Sequence, residues 1–248
     1  QFVWSGDSAI LSVGSTSMID GTTGDQPLGN TILGNLIHEV GIWGKQTAGY
    51  MQALSAQTTL KNNVIFNAPR AGVNFNDGFG GGNVVSNNLI FNTAGPCPNC
   101  VLLLHIRRDH GPFNSWDRQP YLTRLANGVT PSLIPAVSTI YRNFFINNYH
   151  SAVWPIDHDD GSCYYLDSYN YLVYGGYKNY LGHSVTSQFN VYVYPDASGD
   201  TSEPHGYQSV GSFFTDPYCM STGGQQQGVS GWGDIWTNNT CVIGNPNI

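Results

Sequence analysis

The sequence predicts an all-β protein folded as a stacked solenoid, in which short strands are wound level upon level. The first observation is a repeat of one Asn followed by three mostly apolar, β-prone residues. It begins at Asn35, Asn63, Asn88, Asn143, Asn170, Asn190 and, weakly, Asn239. The steps between these positions are 28, 25, 55, 27, 20 and 49 residues, and no segment has a convincing amphipathic-helix period. Steps in the twenties are typical of solenoid coils, and the two long steps predict two coils each.

The chemistry of such a coil accounts for its residue types. One level has too little apolar surface to fold alone, so Ile, Val, Leu and Phe side chains of successive levels are expected to stack into one core. Asn at the same corner of each level tolerates a left-handed backbone, and its side chain can bond to the next Asn along the stack. We therefore predict a structural Asn ladder, with Phe66, Phe91 and Phe145 as core stacks rather than sugar platforms.

The charge and hydropathy of the chain argue against two classes of partner. Only 10% of the 248 residues are charged, and 9 Lys plus Arg against 16 Asp plus Glu give a net charge of −7. Phosphate binding needs several convergent cations, so no nucleic-acid partner is expected. The longest apolar run, residues 101–104, is far shorter than the roughly eighteen residues of a membrane span, so no membrane partner is expected either.

Five cysteines bear on the compartment. In an oxidising environment the expected disulfides join Cys97 to Cys100 and Cys219 to Cys241, which leaves Cys163 over. Spacing does not fix connectivity. Cys97 and Cys100 could instead form half of a zinc site or a redox pair, although neither a second CxxC nor a strand-helix context accompanies them.

The tripeptide Asn238-Asn239-Thr240 is an N-glycosylation sequon, so Asn238 is the expected glycan site. Together with many aromatic residues and few Lys, the sequon and the cysteines predict a secreted, extracellular glycoprotein. We expect residues 1–248 to form one domain that is a segment of a longer chain, and such segments can also stack on one another.

Charge is concentrated in residues 107–121, which contain two carboxylates, an imidazole, three guanidiniums and an indole. Such side chains are costly to bury unless they are paired, so the stretch predicts a polar cleft. Prolines at 112 and 120 place Trp116, Asp117 and Arg118 on a short rigid excursion. The alternative is a solvated loop whose charges pair with one another.

A second acidic cluster follows, with Asp157, Asp159 and Asp160 around His158. Its glycine spacing does not fit an EF-hand, yet three carboxylates in four residues could hold Ca²⁺. No other cofactor is expected. The glycine-rich excursion at residues 68–83 is not a dinucleotide loop, because its spacing misses GxGxxG and no helix follows.

Four motifs occur in an order that resembles a known family: PRAG at 69–72, NDGFGGG at 76–82, DHGPFNSWDR at 109–118 and DDGS at 159–162. The order resembles right-handed parallel β-helix proteins of the pectate-lyase-like superfamily. It looks most like the carbohydrate-active branch with glycoside hydrolases related to α-L-fucosidase and xylanase. The resemblance covers about residues 30–195 and implies a right-handed parallel β-helix, or β-solenoid. Residues 95–106 depart from it, being longer and more apolar.

The first functional hypothesis is an enzyme that hydrolyses, or as a lyase eliminates, an extracellular polysaccharide. Glycoside hydrolysis needs one carboxylic acid and one carboxylate, and Asp117 with Asp159 is the first choice of pair. The catalytic candidates are Asp117, Asp159, Asp160 and Asp109. The substrate-binding candidates are His110, Trp116, Arg118, His158, Arg70 and Asp77. His38 and Glu39 are weaker candidates.

The second hypothesis is a non-catalytic structural, adhesive or fibre-forming solenoid. Both ends of the chain are strand-like and lack a polar cap, which a solenoid needs in order to remain monomeric. Because a fold does not decide function, both hypotheses stand at this point.

Overall fold

The computed structural model describes residues 1–17, 20–44, 46–94, 110–123, 134–147, 154–175, 177–194, 213–214 and 233–242. These residues form strands and turns, and they contain no helix. Accordingly, the described part of the chain has no helix of the length and hydrophobicity that crossing a bilayer requires. The prediction of an all-β protein is confirmed.

The strands, numbered in chain order, belong mainly to three sheets. Sheet A contains, from one edge to the other, β1 (Phe2–Val3), β6 (Leu36–His38), β9 (Val64–Ala68), β12 (Leu89–Thr93), β15 (Phe144–Ile146), β18 (Tyr171–Val173), β21 (Val191–Val193) and β24 (Thr240–Val242). Sheet B contains β2 (Ile10–Val13), β7 (Ala48–Ala53), β10 (Ala71–Phe75), β13 (Phe113–Ser115), β16 (Ile156–His158), β19 (Tyr177–Asn179) and β22 (Phe213–Phe214). Sheet C contains β5 (Thr31–Leu33), β8 (Thr59–Lys61), β11 (Val84–Ser86), β14 (Ser138–Tyr141), β17 (Cys163–Ser168), β20 (His183–Gln188) and β23 (Ile235–Thr237). A small hairpin joins β3 (Ser15–Ser17) to β4 (Asp20–Asp25).

The chain visits sheets A, B and C in rotation, and each strand pairs in parallel with the strand one rotation later. The exception is β22, which is antiparallel to β19. Strand β12 pairs directly with β15, and β21 with β24. The steps of 55 and 49 residues are therefore single levels with long excursions, and the prediction of two coils for each was wrong.

One core serves all three sheets. Successive side chains of a strand point to opposite faces, and the inward ones meet in a single cluster. Sheet A contributes residues such as Ile65 and Phe145, sheet B contributes Phe75 and Phe113, and sheet C contributes Ile140. All five are fully buried.

The predicted Asn ladder is present. The side-chain amide of each ladder Asn donates to the side-chain oxygen of the next, at 2.9 to 3.0 Å, from Asn35 through to Asn239. The left-handed backbone expected at these Asn residues lies instead one position earlier. The residues there include Asn62, Asn87 and Tyr169, with φ of 56°, 54° and 57°.

The predicted core stacking of aromatic residues holds for Phe145 alone, which is fully buried. Phe66 and Phe91 occupy the outward positions of β9 and β12, where they stack in line with His38. The ring centroids are 4.8 Å apart for His38 and Phe66, and 4.9 Å apart for Phe66 and Phe91. The expectation that these two rings are part of the core was wrong, because the strand alternation turns them outward.

Candidate functional site

The outer face of sheet B carries a row of polar side chains. Strand register places Asn74, Asn114, Asp157 and Lys178 side by side on β10, β13, β16 and β19. Their chain neighbours Phe75, Phe113 and Ile156 point into the core, so these polar side chains point outward. All four are nevertheless buried, and the face is therefore a built polar surface rather than a solvated one.

The ammonium of Lys178 joins two carboxylates. Its Nζ lies 3.1 Å from Asp157 Oδ1 and 2.9 Å from Asp159 Oδ1. The same atom lies 4.8 Å from the centroid of the Trp154 ring, within the range of a cation–π contact. His110 Nδ1 lies 3.1 Å from Asp157 Oδ2. We name His110, Asp157, Asp159 and Lys178 the Lys178 cluster.

Charge compensation decides the protonation state of Asp157. Burial alone would raise the pKa of this carboxyl, but the Lys178 ammonium and a hydrogen bond to His110 outweigh burial and lower the pKa to about 2. His110 is itself buried and also contacts the Arg70 guanidinium through Nε2. His110 and Arg70, two of the proposed substrate-binding residues, thus belong to the hydrogen-bond network around the Asp157 carboxylate.

The three carboxylates proposed for Ca²⁺ do not converge. Asp157 and Asp159 share Lys178, whereas Asp160 turns towards Arg118. A group formed by His110, Asp157 and Asp159 does offer ligand atoms within 4.8 Å of one another. Since the Lys178 ammonium already lies between the two carboxylates, the geometry favours an internal ion pair over a calcium site.

A second charged group lies where the chain turns from sheet B towards sheet C. Three successive levels place Asp77, Arg118 and Asp160 at this corner, and we name them the Arg118 corner. Arg118 Nη1 lies 2.8 Å from Asp77 Oδ1, and Nη2 lies 3.7 Å from Asp160 Oδ2. Arg118 Nε also donates to the backbone oxygen of Asp160. The three side chains are 43 to 51% exposed, so they are open to a ligand.

The two carboxyls of the Arg118 corner lie no farther apart than the carboxyls of a glycosidase pair can. Both oxygens contact one guanidinium, so they lie within about 9 Å of each other, and glycosidase carboxyls are roughly 5 to 9.5 Å apart. Partial burial raises the pKa of Asp77 by more than Arg118 lowers it, and the nearby Asp160 raises it further. Asp77 is thus protonated more readily than an ordinary aspartate, as a general acid has to be.

Four hydrogen-bonding atoms lie beside this corner on two adjacent levels. They are the side-chain oxygens of Asn74, Asn76 and Asn114 and the indole nitrogen of Trp116, all buried and without a partner within the described ranges. Asn74 and Asn114 are in register, and the backbone nitrogen of Trp116 bonds to the strand that ends just before Asn76. Amide oxygens and an indole N–H are groups that bind sugar hydroxyls.

Asp117 does not face a groove. It is 2% exposed, and the hydroxyl of Tyr165 lies 2.7 Å from each of its carboxyl oxygens. Burial raises the pKa of Asp117 well above its ordinary value, and that of the neighbouring Cys163 thiol to about 12. The expected placement of Asp117 opposite Asp159 on a groove wall was wrong, because the excursion folds its side chain inward.

The raised pKa of Asp117 predicts a pH-dependent effect of Asp117→Asn. A group whose pKa is higher in the folded state stabilises the fold below its unfolded pKa, and that stability is lost as pH rises towards the folded value. Asn cannot ionise, so the stability of the variant relative to the native chain should be higher at pH 8 than at pH 4. Urea unfolding at both pH values measures this, with exposed Asp7→Asn as control. An equal difference at both pH values would contradict it.

His158 also lies inside the protein. Its ring is fully buried, with Nδ1 2.7 Å from Ser115 Oγ and Nε2 2.9 Å from Asp167 Oδ2. Ser115, His158 and Asp167 are bonded in the order of a Ser-His-Asp triad, but all three side chains are closed to solvent. The prediction that His158 binds substrate therefore has no support in its position.

Some predicted residues lie outside the described part of the chain. Asp109, Cys97, Cys100 and Cys219 fall there, as does the side chain of Cys241, so the predicted disulfides and the role of Asp109 stay predictions. Asn238 is described and lies exposed in the turn before β24, and its glycosylation stays a prediction. Cys163, which the pairing left over, is a free and buried thiol.

Sequence reasoning missed Lys178, Tyr165 and Asp167. Lys178 lies in register with Asp157 only because β16 and β19 pair, and the variable turns between strands hide that register in the sequence. One signal was available for Lys178, namely that any Lys is unusual in a chain this poor in basic residues.

The chain was compared with protein-family models, curated proteins and solved structures, and none of them matches it.

Proposed function

We propose that the three sheets wrap around their common core as a right-handed parallel β-helix, and that this β-helix is a secreted glycoside hydrolase acting on an extracellular polysaccharide. The rotation of the chain through sheets A, B and C and the single core support the β-helix. The motif order at residues 69–162 supports the activity.

The observation that carries the activity is the pair of exposed carboxyls held by one guanidinium. Asp77 is the general acid, since its pKa is raised. Asp160 is the general base or the nucleophile. Arg118 contacts both, which keeps their separation within the upper limit for the reaction. This assignment keeps Asp160 from the sequence prediction and moves Asp77 from substrate binding to catalysis.

The outer face of sheet B lies beside the proposed catalytic pair. The unpartnered atoms of Asn74, Asn76, Asn114 and Trp116 could bond to sugar hydroxyls only if this face opens, because all four atoms are closed to solvent. The Lys178 cluster fixes β16 and its turn, since Asp159 is bound by Lys178 and accepts a hydrogen bond from the backbone nitrogen of Asp160. Asp159 is therefore a positioning residue for Asp160.

The test is incubation of the chain with a panel of plant and algal polysaccharides, including fucose-rich and xylose-rich ones. We expect new reducing ends on at least one of them, with saturated products detected by mass spectrometry. Proton NMR of the first product anomer then decides between retention and inversion. Unsaturated products would show elimination instead and overturn the hydrolase assignment.

Affinity electrophoresis in the same polysaccharides separates the two functional hypotheses. Retardation without any product from any member of the panel would favour the non-catalytic alternative. Neither retardation nor product would contradict polysaccharide recognition altogether.

A further inference from the structure

The outer face of sheet A is apolar across its whole length. Its outward side chains form two columns, one on each side of the inward residue of every strand. The first column is Leu36, Val64, Leu89, Phe144, Tyr171, Val191 and Thr240. The second column is His38, Phe66, Phe91, Ile146, Val173, Val193 and Val242. Neither column holds a Lys, Arg, Asp or Glu.

Several of these side chains are open to solvent. Leu36 is 38% exposed, Phe144 41%, Tyr171 43% and Val242 43%. The turns that flank the sheet add further aromatic surface, with Tyr169 57% and Tyr194 47% exposed. Contiguous apolar surface of this extent is uncommon on a protein that functions alone, and usually marks an interaction site.

The ring geometry argues against a sugar as the occupant. His38, Phe66 and Phe91 lie face to face along the stack, with interplanar angles of 4° and 9°, so they present ring edges to solvent. Tyr169 and Phe189 stack in the same way, with an angle of 10°. A sugar that stacks on an aromatic residue needs a free ring face, and these faces are already covered.

We propose that this face binds the same face of a second copy of the chain, which gives a two-fold symmetric dimer with its sheets A packed together. From β6 to β24, six strand spacings of about 4.8 Å and a width of about 20 Å that includes the flanking turns give roughly 600 Å² per copy, at the lower end of the roughly 600 to 1,000 Å² per partner of a standard interface. A second copy also repeats with the same strand spacing, so its columns of side chains interdigitate with these at every level.

The edge of the face has the composition of an interface rim. Glu39 follows β6, and Asn67 and Asn92 lie near the ends of β9 and β12. The three form a polar row in which Asn67 bonds to Glu39 and Asn92 to Asn67. Interfaces combine an apolar centre with such a polar rim. The dimer leaves the outer face of sheet B free, so it does not depend on the proposed hydrolase activity.

Analytical ultracentrifugation of the full chain tests the dimer. We expect a concentration-dependent mass of twice the chain, and Phe144→Glu with Tyr171→Glu should weaken association by at least about 100-fold. Both side chains point outward, so circular dichroism should be unchanged. Leu33→Glu, at a comparably exposed apolar position on sheet C, is the control and should associate like the native chain.

Hydroxyl-radical footprinting of the native chain supplies a second readout that needs no variant. Oxidation of Phe66, Phe91, Phe144 and Tyr171 should fall as concentration rises through the association range. A native chain that stays monomeric at about 200 μM would overturn the proposal. Association that survives the double substitution would also overturn it. Protection from oxidation that is the same at every concentration would overturn it as well, because the face would then be covered by its own chain.

Discussion

Asp160→Asn should reduce hydrolysis of the polysaccharide identified in the panel by at least about 1,000-fold, because Asn keeps the shape of the side chain but can neither accept a proton nor attack a sugar carbon. Asp77→Asn should reduce it to a similar extent by removing the proton donor. The two variants should differ on an aryl glycoside with a good leaving group. Departure of that leaving group needs no acid, so Asp77→Asn should still release it, with continued turnover if the enzyme inverts and in a single burst if it retains, whereas Asp160→Asn should not.

The control for both variants is Asp7→Asn, an exposed carboxylate outside the Arg118 corner, which should leave the rate unchanged. The native rate should fall as pH rises above the raised pKa of Asp77, and this limb of the pH profile should disappear in Asp77→Asn. Full activity in Asp160→Asn with the fold intact would remove the Arg118 corner from the mechanism.

Lys178→Met should destabilise the fold by about 3 to 5 kcal/mol, because it leaves Asp157 buried and charged without its counter-ion. Lys61→Met, on an outer strand position of sheet C, should change stability by less than about 0.5 kcal/mol. Guanidinium unfolding at pH 7 measures both. Adding Asp157→Asn to Lys178→Met should recover part of the loss, since it removes the unpaired charge.

The loss caused by Lys178→Met should also depend on pH. The pKa of Asp157 is lowered in the native fold to about 2, so the stability that this carboxylate contributes is present above its unfolded pKa and is lost as pH falls through the folded value. The difference between variant and native chain should therefore shrink between pH 4 and pH 2. A loss below about 1 kcal/mol at pH 7 would mean that the ion pair contributes little.

The repeat in the sequence was sufficient to predict the strands of sheet A and the ladder beneath them. Asn88 and Asn143 bond as expected, because stacking identical corners is the simplest way to satisfy a buried amide. The number of coils between Asn88 and Asn143 was not predictable, because either a long excursion or an additional coil would account for the distance between them in the sequence. Only the direct pairing of β12 with β15 decides between these possibilities.

The sequence singles out the charged stretch, but it does not predict the direction of each side chain. Asp117 and Arg118 are adjacent, yet one is buried against Tyr165 and the other is exposed between two carboxylates. That difference arises because the chain turns at this corner and the strand alternation ends. Motif order therefore indicated a candidate site, while burial and register decide which of its carboxyls is exposed to solvent.

The bond between Asn88 and Asn143 has a consequence for protein engineering. These two residues are adjacent in the stack although 55 positions separate them, about twice the step at Asn143 to Asn170. Doubling a flexible loop costs only about 0.6 kcal/mol of closure entropy, so the stack accepts long insertions at its corners. Segments from other proteins could thus be grafted between two levels beside the Arg118 corner, which would vary the surroundings of the carboxyl pair while the scaffold stays the same.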